Sequence, residues 1–189
     1  MIVYVESNFI LEMVRGQKQS VAAEAILQLA ENRKIELVFP SFALGETFSN
    51  IANREKNQER LSKSLEGMLD ELPIMLAEAA RRERDNLWST VNRLIDSGIS
   101  IETNGPCLKQ ALDYQNRLRL SQQDSIIYSA SIIDMQNRPF REAKCFLNSN
   151  SKDFKVDTIL SELNSYNCHY EQNFGKGLNF IQNIIIKDS

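Results

Sequence analysis

Short apolar segments without polar alternation recur along the chain, and patterns of helical period lie between them. The clearest segments are Ile2–Val5, residues 35–39 and residues 143–147, and a shorter strand is predicted at residues 167–170. A strand that is apolar throughout is buried on both faces, which is typical of a parallel sheet covered by helices. The alternation of strands with helices therefore predicts an α/β protein with three α/β/α layers and a central parallel sheet.

Serines and glycines mark the ends of several predicted helices. Ser7 follows the first strand, Ser41 follows the second, and Ser121 precedes an apolar helical pattern, so each is expected to be an N-cap. Gly16 and Gly98 lie where helical patterns stop, because glycine accepts the backbone conformation of a helix end.

A charged segment of helical period and almost no glycine covers residues 53–97. The residue before Pro73 is disfavoured in a helix, so a break is expected there and the segment is predicted to form a helical hairpin. We expect a single domain over residues 1–189, with this insertion at about 53–98 and a C-terminal extension at about 172–189. Any apolar face of the hairpin that the body leaves uncovered would suit a dimer or a partner helix.

The composition excludes several classes of site. His169 is the single histidine, so sites built from several histidines and histidine-based triads are excluded. The three cysteines are scattered and lack CxxC spacing, which indicates core thiols and a reducing, cytoplasmic location. No apolar run approaches the roughly 20 residues that span a bilayer, so no membrane partner is expected. A net charge of -3 argues against a surface that coats nucleic acid, but it permits a local basic groove.

Acidic and polar side chains follow predicted strands at the points where those strands end. Glu6 and Ser7 follow the first strand, and residues 148–153 follow the third. Glu46 lies near the start of the helix after the second strand, and Asp124 lies in a first helical turn. Because ligands of open α/β sheets bind beyond the carboxyl ends of the strands, these groups are expected at one edge.

The position of each acid can also be explained by a structural role, without catalysis or metal binding. Asp124 fits a capping box with Ser121, and Glu6 fits a solvated turn. Four carboxylates at one edge, from Glu6, Glu46, Asp124 and Asp153, would repel one another unless a cation lay among them. Hard oxygen ligands without histidine favour Mg²⁺ or Mn²⁺, and such ions serve phosphoryl chemistry by polarising the phosphate and activating a water.

Four segments in this order resemble the PIN-domain family of metal-dependent nucleases, which includes the toxins of many bacterial toxin–antitoxin pairs. The segments are residues 3–12, residues 42–48, residues 120–130 and residues 145–154. The resemblance covers most of the chain, except residues 53–97 and the C-terminal tail. It implies a PIN-like fold and an endoribonuclease that hydrolyses RNA phosphodiester bonds through a carboxylate-bound Mg²⁺ or Mn²⁺ and an activated water.

The same resemblance implies roles for individual residues. The metal ligands and catalytic acids would be Glu6, Glu46, Asp124 and Asp153. Ser7 and Asn150 would support a ligand, a water or the phosphate through hydrogen bonds.

Two positions depart from the family pattern. Glu6 stands where the family usually has Asp, and Asn148 replaces the usual Thr or Ser. A neutral Asn150 lowers the negative charge of the site, which would favour one bound ion over two. The alternative function is therefore a catalytically weak or inactive PIN-like module that uses the helical hairpin for protein or RNA contacts.

Basic residues near these motifs are candidate RNA contacts. Arg117 and Arg119 lie just before the helix of Asp124, whereas the basic residues of the hairpin are interleaved with acids. Mixed charge is also typical of a solvated helix face, so both interpretations of the hairpin stay open. The expected partners are RNA, an antitoxin or another protein, and a second copy in a homodimer. The large insertion counts against the toxin subtype, and a small antitoxin gene immediately upstream would count for it.

Overall fold

The computed structural model describes residues 1–65, 71–150, 154 and 156–188. The strands of this part are β1 (Ile2–Val5), β2 (Glu36–Pro40), β3 (Ile99–Ile101), β4 (Lys144–Leu147) and β5 (Cys168–Glu171). Its helices are α1 (Ser7–Arg15), α2 (Ser20–Glu31), α3 (Ser41–Leu65), α4 (Leu72–Ser97), α5 (Gly105–Leu118), α6 (Gln122–Gln136), α7 (Asp157–Ser165) and α8 (Phe174–Asp188).

The five strands form one parallel sheet in the order β3-β2-β1-β4-β5. The central strand β1 is in register with both neighbours, because Val3 lies beside Leu37 of β2 and Cys145 of β4. Helices cover both faces of the sheet, and a helical hairpin extends from it. This confirms the predicted three-layer α/β/α architecture with a central parallel sheet.

Two hydrophobic cores lie on opposite faces of the sheet, because successive side chains of a strand point to opposite faces. Val3 of β1 belongs to the core that also contains Phe9 of α1 and Leu94 of α4. Tyr4 of β1 belongs to the other core, beside Tyr128 of α6. Complete burial of each large apolar side chain stabilises the fold by roughly 1.5–3 kcal/mol.

Several predicted boundaries differ from the structure by one residue or by a whole element. The N-cap of α1 is Glu6 and not Ser7, because the extended backbone of Glu6 lets its carboxyl group accept a hydrogen bond from the backbone N–H of Asn8. The Ser121 cap and the Gly16 helix end are confirmed. The sequence pattern does not predict β3, a three-residue edge strand that follows Gly98.

The hairpin consists of the long helices α3 and α4. Helix α3 is continuous from Ser41 to Leu65, so its first arm is an extension of the helix that carries Glu46. Pro73 lies in the first turn of α4, where its missing N–H removes no helical hydrogen bond. Two ion pairs, Arg54 with Glu83 and Arg84 with Glu55, join the arms. Residues 66–70, which connect the two arms in sequence, lie outside the described residues.

The C-terminal helix α8 packs on the body of the molecule. The ring of Phe174 contacts that of Phe9, with 5.5 Å between the ring centroids. A Cβ atom at Gly177 would lie 2.5 Å from Leu147 Cδ2, so the absence of a side chain allows α8 to approach the end of β4. In the described part of the chain, no helix combines the length and apolar character needed to cross a bilayer.

Candidate active site

Glu6 follows β1 directly and places a carboxyl group inside the protein. The residue is only 2% exposed. Its Oε2 atom accepts hydrogen bonds from the backbone N–H of Asn8 and from Ser7 Oγ, each at 3.0 Å. Its Oε1 atom is buried without a hydrogen-bond partner. Burial, and secondarily the charge of Glu46, raises the pKa of the Glu6 carboxyl group to about 7.

Ser7 connects Glu6 to Glu46, which lies near the start of α3. The Ser7 hydroxyl oxygen is 3.0 Å from Glu6 Oε2 and 2.7 Å from Glu46 Oε2. A hydroxyl group carries one hydrogen, so Ser7 donates to one carboxylate at a time. The other carboxylate must then hold a proton or lie near a cation, since two oxygens in contact without a hydrogen repel.

Glu46 is half-buried and receives a further charge effect from Asp124. Burial raises the pKa of the Glu46 carboxyl group, the hydrogen bond from Ser7 opposes this rise, and the charge of Asp124 adds to it. The two raised pKa values mean that Glu6 and Glu46 bind a proton more readily than exposed glutamates do.

Asp124 lies in the first turn of α6 and makes the predicted capping contacts. Ser121 Oγ accepts a hydrogen bond from the Asp124 backbone N–H at 3.1 Å and donates to Asp124 Oδ2 at 2.7 Å. Asn150 Nδ2 also donates to Asp124 Oδ2, at 3.3 Å. The carboxylate thus has a role in helix capping and, at the same time, contacts the segment that follows β4.

Asn148 shapes the turn that carries Asn150. Its side chain is 1% exposed, and its Oδ1 atom accepts a hydrogen bond from the Asn150 backbone N–H at 2.7 Å. Its backbone carbonyl accepts a hydrogen bond from the Tyr170 hydroxyl group at 3.1 Å. In the sequence, Asn148 stands out only as a departure from a family pattern, whereas the structure places it in the turn that orients Asn150 toward Asp124.

Tyr170, near the end of β5, is a neighbour of Glu6 that the sequence pattern does not predict. Burial, followed by the charges of Glu6 and Glu171, raises the pKa of the Tyr170 hydroxyl group to about 12. The sequence feature that could have indicated Tyr170 is its position at the end of the last predicted strand, where the ligands of parallel sheets usually bind.

The structure brings together five of the predicted site residues at the carboxyl edge of the sheet. They are Glu6, Ser7, Glu46, Asp124 and Asn150. Asp153, predicted as the fourth acid, lies outside the described residues. Of the two predicted RNA contacts, Arg117 pairs with Asp113 at 3.3 Å and lies over the Tyr114 ring. Arg119 is the C-cap residue of α5, with a φ of 57°.

The oxygen atoms of this site suit a hard divalent cation in their chemistry. The Oε1 atom of Glu6 has no hydrogen-bond partner and could serve as a ligand atom for a cation. Glu46 and Asp124 supply further carboxylates. However, within residues 1–65, 71–150, 154 and 156–188, no three acidic, cysteine or histidine side chains lie close enough together to hold a metal ion. The assignment of these acids as metal ligands therefore stays a prediction.

A surface depression of about 560 Å³ opens beside the acids. It is lined by residues of α3 and the start of α6, among them Phe42, Gly45, Glu46, Ser49 and Gln123. Glu46 is thus accessible from solvent, whereas Glu6 lies behind it in the interior.

The remaining chemically reactive side chains are structural. Cys107, Cys145 and Cys168 are buried as predicted, and burial raises the pKa of each thiol, so none is a reactive thiolate. His169 stacks on the ring of Phe180, with 4.3 Å between the ring centroids.

Comparison with known proteins leaves the family of the chain undecided. No protein-family model and no curated protein matches it. Among solved structures, the chain is similar to the crystal structure of VapBC2 from Rickettsia felis, which was solved with a bound DNA fragment from the VapBC2 promoter. The TM-score is 0.48 and the sequence identity is 14%, over 90% of this chain and 98% of that chain. A likeness of this size carries no conclusion about activity or partners.

Proposed function

We propose that the protein is a Mg²⁺- or Mn²⁺-dependent endoribonuclease. The observation that carries the proposal is the buried carboxyl group of Glu6, which has one unpartnered oxygen and shares the Ser7 hydroxyl group with Glu46. Such an arrangement is costly without a positive charge, because a buried polar atom that lacks a partner costs about 1–3 kcal/mol and more when it is charged. A divalent cation at this edge would remove that cost.

The acids Glu6, Glu46, Asp124 and Asp153 would hold the ion in this proposal. The ion, when bound, would polarise the phosphate and lower the pKa of a water molecule. Ser7 holds Glu46 in place through its hydroxyl group, and Asn150 orients the Asp124 carboxylate through its amide. The resemblance of the four sequence segments to PIN-domain nucleases supports RNA as the substrate.

The experiment is cleavage of a mixed pool of single-stranded and structured RNA by the full chain. The reaction is run with Mn²⁺, with Mg²⁺ and with a chelator. Asp124→Asn is the test variant, and Asp85→Asn is its control, because Asp85 is an exposed acid on α4 that undergoes the same chemical change away from the site.

We expect cleavage that requires the metal, disappears in Asp124→Asn and persists in Asp85→Asn. The loss of the Asp124 charge from a first helical turn should change the free energy of unfolding by less than about 1 kcal/mol, since Ser121 still caps α6. Full activity of Asp124→Asn would remove the catalytic role of this acid. Cleavage that continues in the chelator would contradict the metal requirement.

A binding function is the second candidate, and the exposed apolar side chains of the hairpin favour it. Ile74, Met75 and Trp88 of α4 are 61%, 60% and 55% exposed. A protein partner, such as an antitoxin, or a second copy of the chain would bury them. Absence of both RNA cleavage and stabilisation by Mg²⁺ or Mn²⁺ would favour this function over the nuclease.

A further inference from the structure

Two surface depressions meet along one face of α3. The first is the depression beside Glu46, and the second, of about 550 Å³, lies farther along the hairpin. Asn50 and Asn53 line both depressions, and Asn57 and Leu61 continue the second. Residues spaced by three or four positions lie on the same side of a helix, so these side chains form one continuous surface, named here the α3 groove.

Five of the residues that line the α3 groove carry side-chain amides, and the groove leads away from the acids. From Glu46 to Asn57 it extends about 16 Å, since each helical residue adds about 1.5 Å. Asn53 and Asn57 are exposed, and no hydrogen bond within the described part of the chain engages their side chains. These amides can therefore donate to and accept from an external ligand.

Arg15 of α1 supplies a positive charge to the groove. Its Nη2 atom donates a hydrogen bond of 2.6 Å to Asn50 Oδ1, while its buried Nε atom has no partner. No acid of the described residues forms an ion pair with Arg15. Burial, followed by the charge of Arg54, lowers the pKa of Arg15, and the charge of Glu83 opposes this shift only in part.

Arg54 does not remove the excess positive charge at this position. Its guanidinium group is engaged with both carboxylate oxygens of Glu83 at 2.9 Å. The two arginines and one glutamate leave a net positive charge along the side of the groove. An anion in the groove would therefore be stabilised by the charge of the Arg15 guanidinium group.

We propose that the α3 groove binds a stretch of single-stranded RNA next to the segment held at the acids, with a backbone phosphate on Arg15. The asparagines contact ribose hydroxyl groups and bases, and Leu61 offers an apolar surface for a base. The groove is continuous with the acidic site, which fits a polymeric phosphodiester better than an isolated anion. This inference rests on the proposed nuclease function.

The test measures binding of a fluorescent uridine oligomer of about 12 nucleotides across a range of salt concentrations. The full chain carries Asp124→Asn so that RNA stays intact in Mg²⁺, and Arg15→Gln is added to it. The control is Arg141→Gln, because Arg141 is exposed and precedes β4, at the opposite edge of the sheet.

We expect Arg15→Gln to weaken binding several-fold and to reduce the slope of log affinity against log salt by about 0.7, the contribution of one phosphate contact to a single strand. Arg141→Gln should change neither quantity. An oligo-aspartate peptide should displace the labelled oligonucleotide only weakly. If it displaces the oligonucleotide as well as unlabelled RNA does, the groove binds an acidic peptide and the inference is wrong.

A second pair of variants covers the case in which Arg15→Gln unfolds. Asn57→Glu adds a negative charge to an exposed position of the groove, and Asn92→Glu makes the same change on an exposed position near the end of α4. Asn57→Glu should weaken binding, and Asn92→Glu should not.

The outcomes separate this inference from the proposed function. The inference is wrong if both groove variants bind RNA with the affinity and salt dependence of the Asp124→Asn chain while the wild-type chain still cuts RNA. The proposed nuclease function would be unaffected by that result. Absence of both cleavage and RNA binding in the wild-type chain would overturn both.

Discussion

Replacement of Glu6 by glutamine should make the stability of the protein less dependent on pH. In the folded protein the pKa of the Glu6 carboxyl group is raised from 4.5 to about 7, so between these pH values the folded state binds more protons than the unfolded state. The free energy of unfolding therefore falls as pH rises through this window. Each pKa unit corresponds to about 1.36 kcal/mol, which gives a total loss of about 3 kcal/mol between about pH 4.5 and pH 8.

Glutamine cannot ionise, and its carbonyl oxygen can still accept the hydrogen bonds that Ser7 and Asn8 donate to Glu6. The Glu6→Gln variant should therefore gain about 3 kcal/mol relative to the wild-type protein over this pH range in the absence of metal. For a chain of this length the gain corresponds to a rise in Tm of about 6–12 °C at pH 8.

The assay is urea unfolding followed by circular dichroism, in a chelator, at several pH values between about 4.5 and 8. Glu59→Gln is the control, because Glu59 is exposed on α3, and its curve should follow that of the wild-type protein. Parallel pH curves for Glu6→Gln and the wild-type protein would refute the reasoning.

The same two proteins also test metal binding. At pH 8, Mn²⁺ should stabilise the wild-type protein and not Glu6→Gln. Equal stabilisation of both would mean that Glu6 is not a metal ligand.

Two further predictions concern the site and the hairpin. If the chain is the proposed nuclease, Glu6→Asp should retain or raise RNA cleavage, since Asp is usual at the matching position of the family that the segment around Glu6 resembles. A folded but inactive variant would mean that the site is built around the longer side chain. If the hairpin contacts a second copy, Ile74→Ser combined with Met75→Ser should lower the oligomeric mass in solution scattering, whereas Val21→Ser, which changes an 82% exposed residue of α2, should not. An unchanged mass for the hairpin variant would argue against this surface as a dimer contact.

Local patterns in the sequence were sufficient to predict most of the secondary structure. The apolar run of β1 and the serine cap of α6 depend on residues within a few positions of one another, so their effect does not require the rest of the fold. The short edge strand β3 was not predicted, because three residues give too weak a pattern and its pairing with β2 supplies the hydrogen bonds that define it.

The candidate site was predictable in part for the same reason. Acids at strand ends and in first helical turns pointed to Glu6, Glu46 and Asp124 from the sequence. The Ser7 contact between two glutamates and the turn formed by Asn148 could not be read from the sequence, because they depend on how α3 and β4 pack beside β1.

The sequence by itself determined the alternation of buried strands and helices, because hydrophobic period and helix capping act between near neighbours in the chain. Only the tertiary structure decided which charges meet and which groups lack partners. Arg15 and Asn50 are 35 positions apart, and Ser7 and Glu46 are 39 positions apart, so their contacts exist only once the helices have packed. Burial then raises the pKa of the Glu6 carboxyl group and leaves the Arg15 Nε atom without a partner, since desolvation depends on everything that surrounds a group and not on its neighbours in sequence.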